Sequence, residues 1–291
     1  MPTIGRVSTS GDGWTTCGLG HRHWGLFGAA GLLLRSAPGP DGAVGLQLRV
    51  GWSHHGGTWG ILGGARNGGE SSVQAALREA GEEASVTPDE VHLEASYVDD
   101  HGGWAYTTVI ASTAGQIPLA PRGTESDAVR WWPVDQVDDL DLHPGFGRSW
   151  PLLRGVGPAP VLVVDAANVV GSRPDGWWRD RAGAVRGLRD ALAGQGEGFL
   201  AAPLADGAPA GLRTFAAPVL VVEGQARDVA AVPGVEVVRA DGSGDDALVA
   251  TVQRLGDARP VRVVTADREL RSRVQALGAE VVGPRTLLDL L

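Results

Sequence analysis

The first half of the chain is organised around Gly64-Ala-Arg-Asn-Gly-Gly-Glu70, followed after seven residues by Arg78-Glu79-Ala-Gly-Glu82-Glu83-Ala-Ser-Val86. Apolar residues recur here every three to four positions, which predicts a helix. Glu79, Glu82 and Glu83 then share one helix face, because their spacing is i, i+3, i+4. Clustered carboxylates repel one another unless a cation lies among them, and their oxygens suit Mg²⁺ or Mn²⁺. The stretch therefore predicts a divalent-metal site.

This stretch resembles the Nudix box, in which a glycine, five residues, a glutamate and seven residues precede Arg-Glu-apolar-any-Glu-Glu-any-Gly-apolar. The match is residue for residue at Gly64, Glu70, Arg78, Glu79, Glu82, Glu83 and Val86. Two positions depart from the family pattern: Ser85 stands where the family has Gly, and Leu62 where many members have Pro. The family glycine helps the helix to end, so Ser85 affects local geometry rather than the ligands.

The resemblance covers about residues 20–155. It implies an α/β/α sandwich around a mixed sheet that hydrolyses a nucleoside diphosphate linked to another group. It carries over Glu79, Glu82 and Glu83 as ligands of Mg²⁺ (or Mn²⁺), with the carbonyl of Gly64 as a further candidate.

The general base is left open by the sequence. It is either a glutamate of the box, Glu82 or Glu83, or Glu125 from the loop before a later strand. For Glu125, the alternative is an acid of the loop that is simply solvated. Glu70 and Arg78 have opposite charges, and we expect them to pair and hold the loop to the helix.

Two aromatic residues are candidates for substrate binding. Trp104 and Tyr106 lie two positions apart in a predicted strand, so they share one face and could stack on a nucleobase. Packing in the core is the alternative for both.

Histidines suggest weaker sites. His54 and His55 lie in a Gly-rich loop, either near the phosphates of a substrate or simply as turn residues. Cys17, His21 and His23 have loose metal-like spacing, but a zinc site requires a fourth ligand and none stands nearby in the sequence. We do not expect a zinc site there.

The rest of the first half predicts strands around the helix, which spans Glu70–Ala84. Further helical stretches are expected after the last strand and near Phe146–Arg154. The predicted strands are Gly28–Leu34, Val44–Val50, His92–Val98, Trp104–Ala111 and Val129–Pro133.

The second half alternates between Val-rich strands and helices, which predicts a buried parallel sheet with helices on both faces. Its strands are Val161–Val164, Val219–Glu223, Val235–Arg239, Val261–Thr265 and Glu280–Val282, and its helices are Arg179–Ala193, Asp245–Leu255 and Arg268–Leu277. The Gly/Pro-rich segment Arg154–Pro160 is typical of a linker. We therefore expect a domain at 1–155, of which 1–20 is an N-terminal extension, and a second domain at 156–291.

Acidic residues of the second half fall at strand ends or helix starts. Because the carboxyl ends of parallel strands meet at one edge of a sheet, these acids should converge, and a divalent metal would offset their repulsion. They are Asp165, Glu223, Asp245, Asp246 and Asp267. The alternative is that Asp245 and Asp267 simply cap helices.

The pieces Asp165-Ala-Ala-Asn168, Gly244-Asp-Asp246 and Thr265-Ala-Asp267 resemble motifs of the NYN branch of the PIN-like nucleases, including its YacP-like members. The resemblance covers about residues 159–291 and implies a Rossmann-like parallel-sheet domain that hydrolyses RNA with a metal. It implies that Asp165, Asp246 and Asp267 bind the metal, assisted by Asn168, Glu223 and Asp245. RNA is then a candidate partner of this domain.

Composition limits the classes of partner. The net charge is −9, and neither half has the basic excess of a duplex-DNA binder. A single cysteine excludes an intramolecular disulfide, and no apolar run reaches the length of a membrane span. We expect a cytoplasmic protein without a membrane partner; the oligomeric state stays open.

The leading hypothesis is a Mg²⁺-dependent Nudix hydrolase of the nucleoside triphosphate pyrophosphohydrolase type with a nuclease-like second domain. The alternatives are a ribonuclease with a nucleotide-sensing Nudix domain and a non-catalytic nucleotide-binding regulator. The substrate is not specified: oxidised or ordinary nucleoside triphosphates, dinucleoside polyphosphates, nucleotide sugars and dinucleotide cofactors are all candidates.

Overall fold

The structure is a computed structural model that describes residues 9–195, 199–200 and 209–291. The chain divides into two compact units, Met1–Gly157 and Pro158–Leu291. Every helix within the described residues is too short or too polar to cross a membrane.

The first unit is mainly β-structure with two α-helices among its described residues. Its strands are β1 (Trp14–Thr16), β2 (Arg22–Trp24), β3 (Ala29–Arg35), β4 (Ala43–Arg49), β5 (Trp59–Gly60), β6 (Leu62–Ala65), β7 (His92–Asp100), β8 (Ala105–Ser112) and β9 (Ser126–Pro133), and its helices are α1 (Ser72–Ala84) and α2 (Pro144–Leu153). The predicted strands and helix are confirmed, with bounds that move by one to three residues. The β1–β2 hairpin and the short strands β5 and β6 were not predicted.

The main sheet of this unit is mixed, as the resemblance implied. Its strands follow the order β7-β8-β3-β4-β5, with β6 also paired to β3 and β9 to β4. Strands β3 and β8 are parallel, whereas the other pairs are antiparallel. All seven residues of β3 are buried, because this strand lies between neighbours and is covered on both faces.

Helix α1 packs on the sheet through small side chains. Ala75, Ala76, Ala80 and Ala84 are all fully buried, which lets the helix approach strands β3 and β6 closely. Ser71 caps the amino end of the helix, and the Gln74 side chain completes a capping box. The carboxylates of the predicted site are thereby fixed against the sheet.

The carboxyl end of α1 is formed by Ser85, the residue that departs from the family pattern. Ser85 adopts left-handed backbone angles, with φ of 63° and ψ of 20°. Glycine has no steric cost in this region, whereas a residue with a Cβ does. The helix therefore ends at a left-handed serine, at a cost to stability.

A buried arginine fixes the last helix of the unit. Arg35 is 1% exposed, and its guanidinium donates hydrogen bonds to the carbonyls of Leu153 and Val156, each at 2.6 Å. Burial lowers the pKa of Arg35 to about 10. Because this value is still well above 7, the side chain is charged at neutral pH. The end of α2 is therefore held to the end of β3.

The second unit contains a parallel sheet with the strand order β14-β13-β10-β15-β16 among its described residues. Its strands are β10 (Val161–Asp165), β11 (Phe199–Leu200), β12 (Leu212–Thr214), β13 (Ala217–Val222), β14 (Glu236–Arg239), β15 (Val261–Val264) and β16 (Glu280–Val282), and its helices are α3 (Ala166–Gly171), α4 (Arg181–Ala193), α5 (Gly244–Gly256), α6 (Arg268–Gln275) and α7 (Pro284–Leu288). The predicted alternation is confirmed. The elements α3, β11, β12 and α7 were not predicted.

Helices cover both faces of this parallel sheet. Alternate residues of β10 point to opposite faces: Leu162 and Val164 pack with α3, α4 and α7, and Val161 and Val163 pack with α5 and α6. This arrangement explains why the strands are continuous runs of Val rather than alternating patterns. The family assignment of the unit stays a prediction.

Candidate active site

The predicted carboxylate face of α1 lies beside strand β6, where backbone and side chain meet closely. A Cβ built on Gly64 would lie only 2.6 Å from Oε1 of Glu79. A larger residue at position 64 would displace this carboxylate, so the glycine lets the β6 backbone lie beside Glu79. The Glu79 side chain is 15% exposed, so it lies in a partly enclosed position.

Arg78 organises the carboxylates around it. Its Nε and Nη2 donate to the two oxygens of Glu70 at 2.8 and 3.0 Å. Its Nη1 donates to Glu79 at 2.7 Å and to Glu82 at 3.2 Å, and Nη2 also donates to the carbonyl of Ala65. The expected pairing of Glu70 with Arg78 is present, and the hydrogen bond from Arg78 lowers the pKa of Glu70. One guanidinium thus fixes three carboxylates.

Glu83 is held by a different set of donors. Its carboxylate is buried and accepts hydrogen bonds from Nε2 of Gln47, at 3.1 and 3.2 Å, and from the backbone N–H of Gly63 at 2.8 Å. Burial, with a contribution from the charge of Glu79, raises the pKa of Glu83 to about 8. Charge at Glu83 is costly unless a cation offsets it.

Gln47 is a site residue that the sequence analysis missed. Its Nε2 also donates to the carbonyl of Ile61 at 3.1 Å, and its Oε1 accepts a hydrogen bond from Ser126. These contacts fix the amide orientation that serves Glu83. The sequence did offer a signal for Gln47, since it is a polar residue within a mainly apolar strand, and the structure shows that it is buried with residues 43–46 of β4.

Glu125 lies in the loop before β9 and is exposed. Burial raises the pKa of Glu79 despite its bond to Arg78, and the charges of Glu82 and Glu125 add to this rise. Glu125 is therefore within electrostatic range of the box although it comes from another part of the chain. Its role as general base stays a prediction.

Tyr106 borders the same site from strand β8. A Cβ on Gly31 or Gly63 would lie 2.2 or 2.9 Å from its hydroxyl oxygen, so both glycines make room for the phenol. Burial and then the charge of Glu83 raise the pKa of Tyr106. The phenol therefore lies next to the innermost carboxylate.

Trp104 lies in a small buried cluster. Its indole N–H donates to the carbonyl of Gly25 at 3.0 Å, and its ring stacks on His23 at a centroid distance of 3.9 Å and an interplanar angle of 10°. The core-packing alternative therefore describes its surroundings. Stacking of Trp104 on a nucleobase stays a prediction, and one of its faces is occupied by His23.

Arg49 is a second residue that the sequence analysis missed. Its Nε donates to the carbonyl of His54 at 3.3 Å. Burial and then the charge of Arg49 lower the pKa of His143 to about 4. His54, His55 and His143 form a cluster of imidazoles beside it, so that this corner offers a cation and polar rings to an anionic ligand. Arg49 follows a register shift in β4, which the sequence pattern does not reveal.

The box residues fit a divalent cation. Three carboxylates, Glu70, Glu79 and Glu82, share one guanidinium and Glu83 lies beside them, so net negative charge remains for a metal to neutralise. The donors are hard oxygen atoms, which Mg²⁺ and Mn²⁺ prefer. The missing side chain at Gly64 leaves the β6 backbone open beside Glu79.

In the second unit, the strand-end acids each have a local partner. Asp165 accepts hydrogen bonds from the N–H of Asn168 at 3.0 Å and from Thr265 Oγ1 at 2.9 Å, and thereby caps α3. Glu223 accepts from the N–H of Gly244 at 2.9 Å. Burial, together with the charges of Asp245 and Glu223, raises the pKa of Asp165, so these acids lie within range of one another.

Asp267 caps α6 by accepting from the N–H of Leu270 at 2.8 Å. Asn168 connects to the same region, because its Oδ1 accepts from the N–H of Ala266 at 2.8 Å. Burial and then the charge of Asp267 raise the pKa of Asp245. Asp165, Glu223, Asp245 and Asp267 thus lie in one electrostatic neighbourhood.

Asp246, which was predicted to bind the metal, forms an ion pair with Arg273. Its Oδ1 is 2.6 Å from Nη2 of Arg273, and its side chain is 70% exposed. A signal was available in the sequence, since Leu248 and Val252 form the buried stripe of α5. At 3.6 residues per turn, Asp245 lies about 60° from Leu248 and Asp246 about 160°. The metal role of these acids stays a prediction.

The chain resembles known proteins over its first half. The model of the NUDIX domain family matches residues 27–153. Putative 8-oxo-dGTP diphosphatase 3 of Mycobacterium tuberculosis is 46% identical over 166 residues, which cover 54% of this chain and 74% of that protein.

Two further relatives match the same part of the chain to a different extent. The nucleoside triphosphate pyrophosphatase/Nudix hydrolase fusion protein of Bifidobacterium longum is 40% identical over 156 residues, which are 52% of this chain but only 32% of that protein. This chain therefore spans about a third of the fusion protein. The crystal structure of RenU, a Nudix hydrolase from M. smegmatis, is 46% identical, with a TM-score of 0.45, and covers 50% of this chain and 93% of that one.

Proposed function

The chain belongs to the Nudix family of hydrolases, and from this premise we propose that it cleaves a nucleoside triphosphate with water into a nucleoside monophosphate and inorganic pyrophosphate. Enzymes of this family act on phosphoric anhydride bonds and generally use divalent metal ions. The first substrate to test is an oxidised purine nucleotide, because the relative in M. tuberculosis is a putative 8-oxo-dGTP diphosphatase.

One observation supports the proposal above the others. Arg78 binds Glu70, Glu79 and Glu82 at once, while Gln47 and Gly63 hold Glu83. The carboxylates are thereby oriented before any ligand arrives, which is what catalysis by positioned charges requires.

We assign roles to the residues of the box. Glu79, Glu82 and Glu83, with the carbonyl of Gly64, hold Mg²⁺ or Mn²⁺. When bound, such an ion neutralises the charge of the diphosphate and lowers the pKa of the attacking water. Arg78 and Glu70 keep the ligands in place. Either Glu125 or a glutamate of the box accepts the proton of the water.

The substrate contacts come from the other elements around the box. Tyr106 offers an aromatic surface beside Glu83, where a nucleobase or ribose can pack. Arg49 offers a guanidinium suited to a phosphate oxygen, near the imidazoles of His54 and His143.

The test is a product-resolved screen of the full chain with Mg²⁺. The substrates are 8-oxo-dGTP, dGTP, a dinucleoside tetraphosphate, ADP-ribose and a nucleotide sugar, and the products are separated by anion exchange. We expect pyrophosphate and a monophosphate from the triphosphates, lost in Glu82→Gln and kept in the matched control Asp89→Asn, which removes an exposed acid outside the box. Tight nucleotide binding without any product would favour a non-catalytic regulator instead.

A second candidate function, metal-dependent cleavage of RNA, is supported by the second unit. The observation that favours it is the shared electrostatic neighbourhood of Asp165, Glu223, Asp245 and Asp267. Arg273 offsets part of the charge of Asp245, and a divalent ion bound by Asp165, Asp245 and Asp267 would relieve the repulsion that remains among the four acids.

The RNA-cleavage candidate is tested in the Glu83→Gln background, so that the first site does not contribute. Labelled single-stranded RNA is incubated with Mn²⁺, and the products are resolved by length. We expect cleavage that Asp165→Asn abolishes and that Asp246→Asn leaves unchanged. Intact RNA in the Asp246→Asn and parent proteins would reject the candidate.

A further inference from the structure

A cysteine and three histidines meet where two β-hairpin turns come together. Cys17 and His21 lie in the turn between β1 and β2, His23 lies on β2, and His101 lies in the turn between β7 and β8. One ligand atom of each, the Cys17 sulphur and a nitrogen of each imidazole, lies within 4.8 Å of all the others. This cluster is separate from the carboxylates of the box.

The cluster has buried polar atoms without partners. Cys17 is 5% exposed. Nε2 of His23 and Nδ1 of His101 are buried and have no hydrogen-bond partner among the described residues. A buried polar atom without a partner is costly and calls for an explanation. A metal ion that both nitrogens ligate supplies one.

The surrounding contacts orient these side chains. Nε2 of His101 lies 3.2 Å from a carboxylate oxygen of Asp99, which leaves Nδ1 directed into the cluster. Metal-binding histidines characteristically use their second nitrogen in this way. His23 is fixed by its stacking on Trp104.

Backbone bonds join the two turns that carry the ligands. The N–H of Gly18 donates to the carbonyl of Gly102, so the turn after Cys17 is tied to the turn that contains His101. Within the first turn, the N–H of Cys17 donates to the carbonyl of His21 at 2.9 Å. The ligands are therefore presented by backbone that is already hydrogen-bonded.

We propose that Cys17, His21, His23 and His101 bind one zinc ion in a closed, structural site. Thiolate and imidazole ligands favour zinc, whereas the all-oxygen box favours Mg²⁺ or Mn²⁺. Four protein ligands fill a tetrahedral shell and leave no position for substrate. Tetrahedral zinc separates such ligand atoms by about 3.3–3.6 Å, so the side chains close slightly around the ion.

The zinc site has a structural consequence for the wall of the active site. Cys17, Ala29 and Trp104 form one buried cluster, against which Tyr106 packs. Zinc would hold the β1–β2 hairpin to the β7–β8 turn and so fix the strand that carries Tyr106. Loss of the ion should therefore lower stability first and affect catalysis only indirectly.

The first test counts zinc in the full, untagged chain after dialysis against excess Mg²⁺. We expect one zinc per chain in the wild type, in Glu82→Gln and in the matched control His92→Gln, which changes an exposed histidine at the start of β7. Zinc retention should fall at least about tenfold in Cys17→Ser and His21→Gln. His21 is exposed, so its replacement leaves no hole in the core. Equal zinc content in His21→Gln and wild type would overturn the proposal, as would a wild type without zinc.

The second test uses the thiol itself. Cys17 is the only cysteine of the chain, so a thiol reagent reports on this site alone. We expect slow modification of the zinc-loaded protein, rapid modification after chelation, and a thiolate-to-metal charge-transfer band when Co²⁺ replaces zinc. Identical modification rates with and without chelator, or a Co²⁺ spectrum without that band, would exclude Cys17 as a ligand.

Discussion

The two acidic regions of the molecule differ in what holds their carboxylates. In the first unit, Arg78 binds three carboxylates, and Gln47 and Gly63 hold a fourth. In the second unit, three of the acids have separate neighbours: Asp165 and Asp267 cap helices, and Asp246 pairs with Arg273.

The difference shows that acidic residues behave differently on one helix and at the ends of separate strands. Acids spaced along one helix, around one shared guanidinium, form a preorganised set. Acids at the ends of separate strands already satisfy local backbone donors, so their convergence alone does not establish a metal site. The predictions below test this distinction, from the largest expected effect to the smallest.

Glu82→Gln and Glu83→Gln should each lower hydrolase turnover by at least about two orders of magnitude, because catalysis depends on ligands that place the metal. Turnover is measured at saturating Mg²⁺ with folding checked by circular dichroism. Asp165→Asn, which changes the other acidic region, should leave this activity intact. Near wild-type rates in both glutamine variants would contradict the assignment of the box.

Arg78→Gln should lower turnover by about 10–100-fold, the usual effect of losing a group that orients metal ligands. It should also lower the melting temperature in EDTA, because three carboxylates lose their shared cation. Arg273→Gln, which removes the exposed partner of Asp246, should change neither quantity. Equal effects of the two substitutions would remove the distinction between the regions.

Asp245→Asn should raise the melting temperature in EDTA by about 2–4 °C, since it removes repulsion from Asp165, Glu223 and Asp267. It should also reduce stabilisation by Mn²⁺, because a ligand that binds only the folded state adds to stability. Melting curves are recorded in the Glu82→Gln/Glu83→Gln background. Asp246→Asn is the control and should leave both quantities unchanged. If the two variants respond alike to Mn²⁺, the acids of the second unit do not share a metal.

Ser85→Gly should stabilise the chain by about 0.5–1 kcal/mol, because Ser85 has a positive φ at the end of α1. Urea denaturation measures the change. Asp180→Asn is the comparison in the second unit, because Asp180 caps α4 and Asn caps a helix about as well as Asp, so stability should not change. A destabilised Ser85→Gly protein would show that the serine makes a contribution that its backbone angles do not reveal.

Sequence patterns predicted what is local in this molecule. The box lies within 23 residues, so its spacing alone indicated the shared helix face and the pairing of Glu70 with Arg78. The parallel sheet of the second unit followed from continuous Val runs between helices. In each case the relevant contacts are made within one element or between neighbouring elements.

The contacts that were missed join distant parts of the chain. Gln47 reaches Glu83 only because β4 and α1 meet on the same sheet, and no spacing encodes that contact. His101 lies far from His23 in sequence, so the fourth member of the Cys/His cluster became visible only when two turns met. The choice between Asp245 and Asp246 depends on a local property, because the rotation of α5 about its axis decides which of the two side chains faces the other acids.

The pairing of strand β3 affects the order in which the first unit can fold during synthesis. It pairs with β6 and with β8, yet β3 ends at Arg35 and β8 ends only at Ser112. At about 5–20 residues per second, β8 leaves the ribosome roughly 4–15 s after β3. Helix α1 and its carboxylates are synthesised within that interval, while β3 still has an open edge, so the acidic site can be completed only after the later strand arrives.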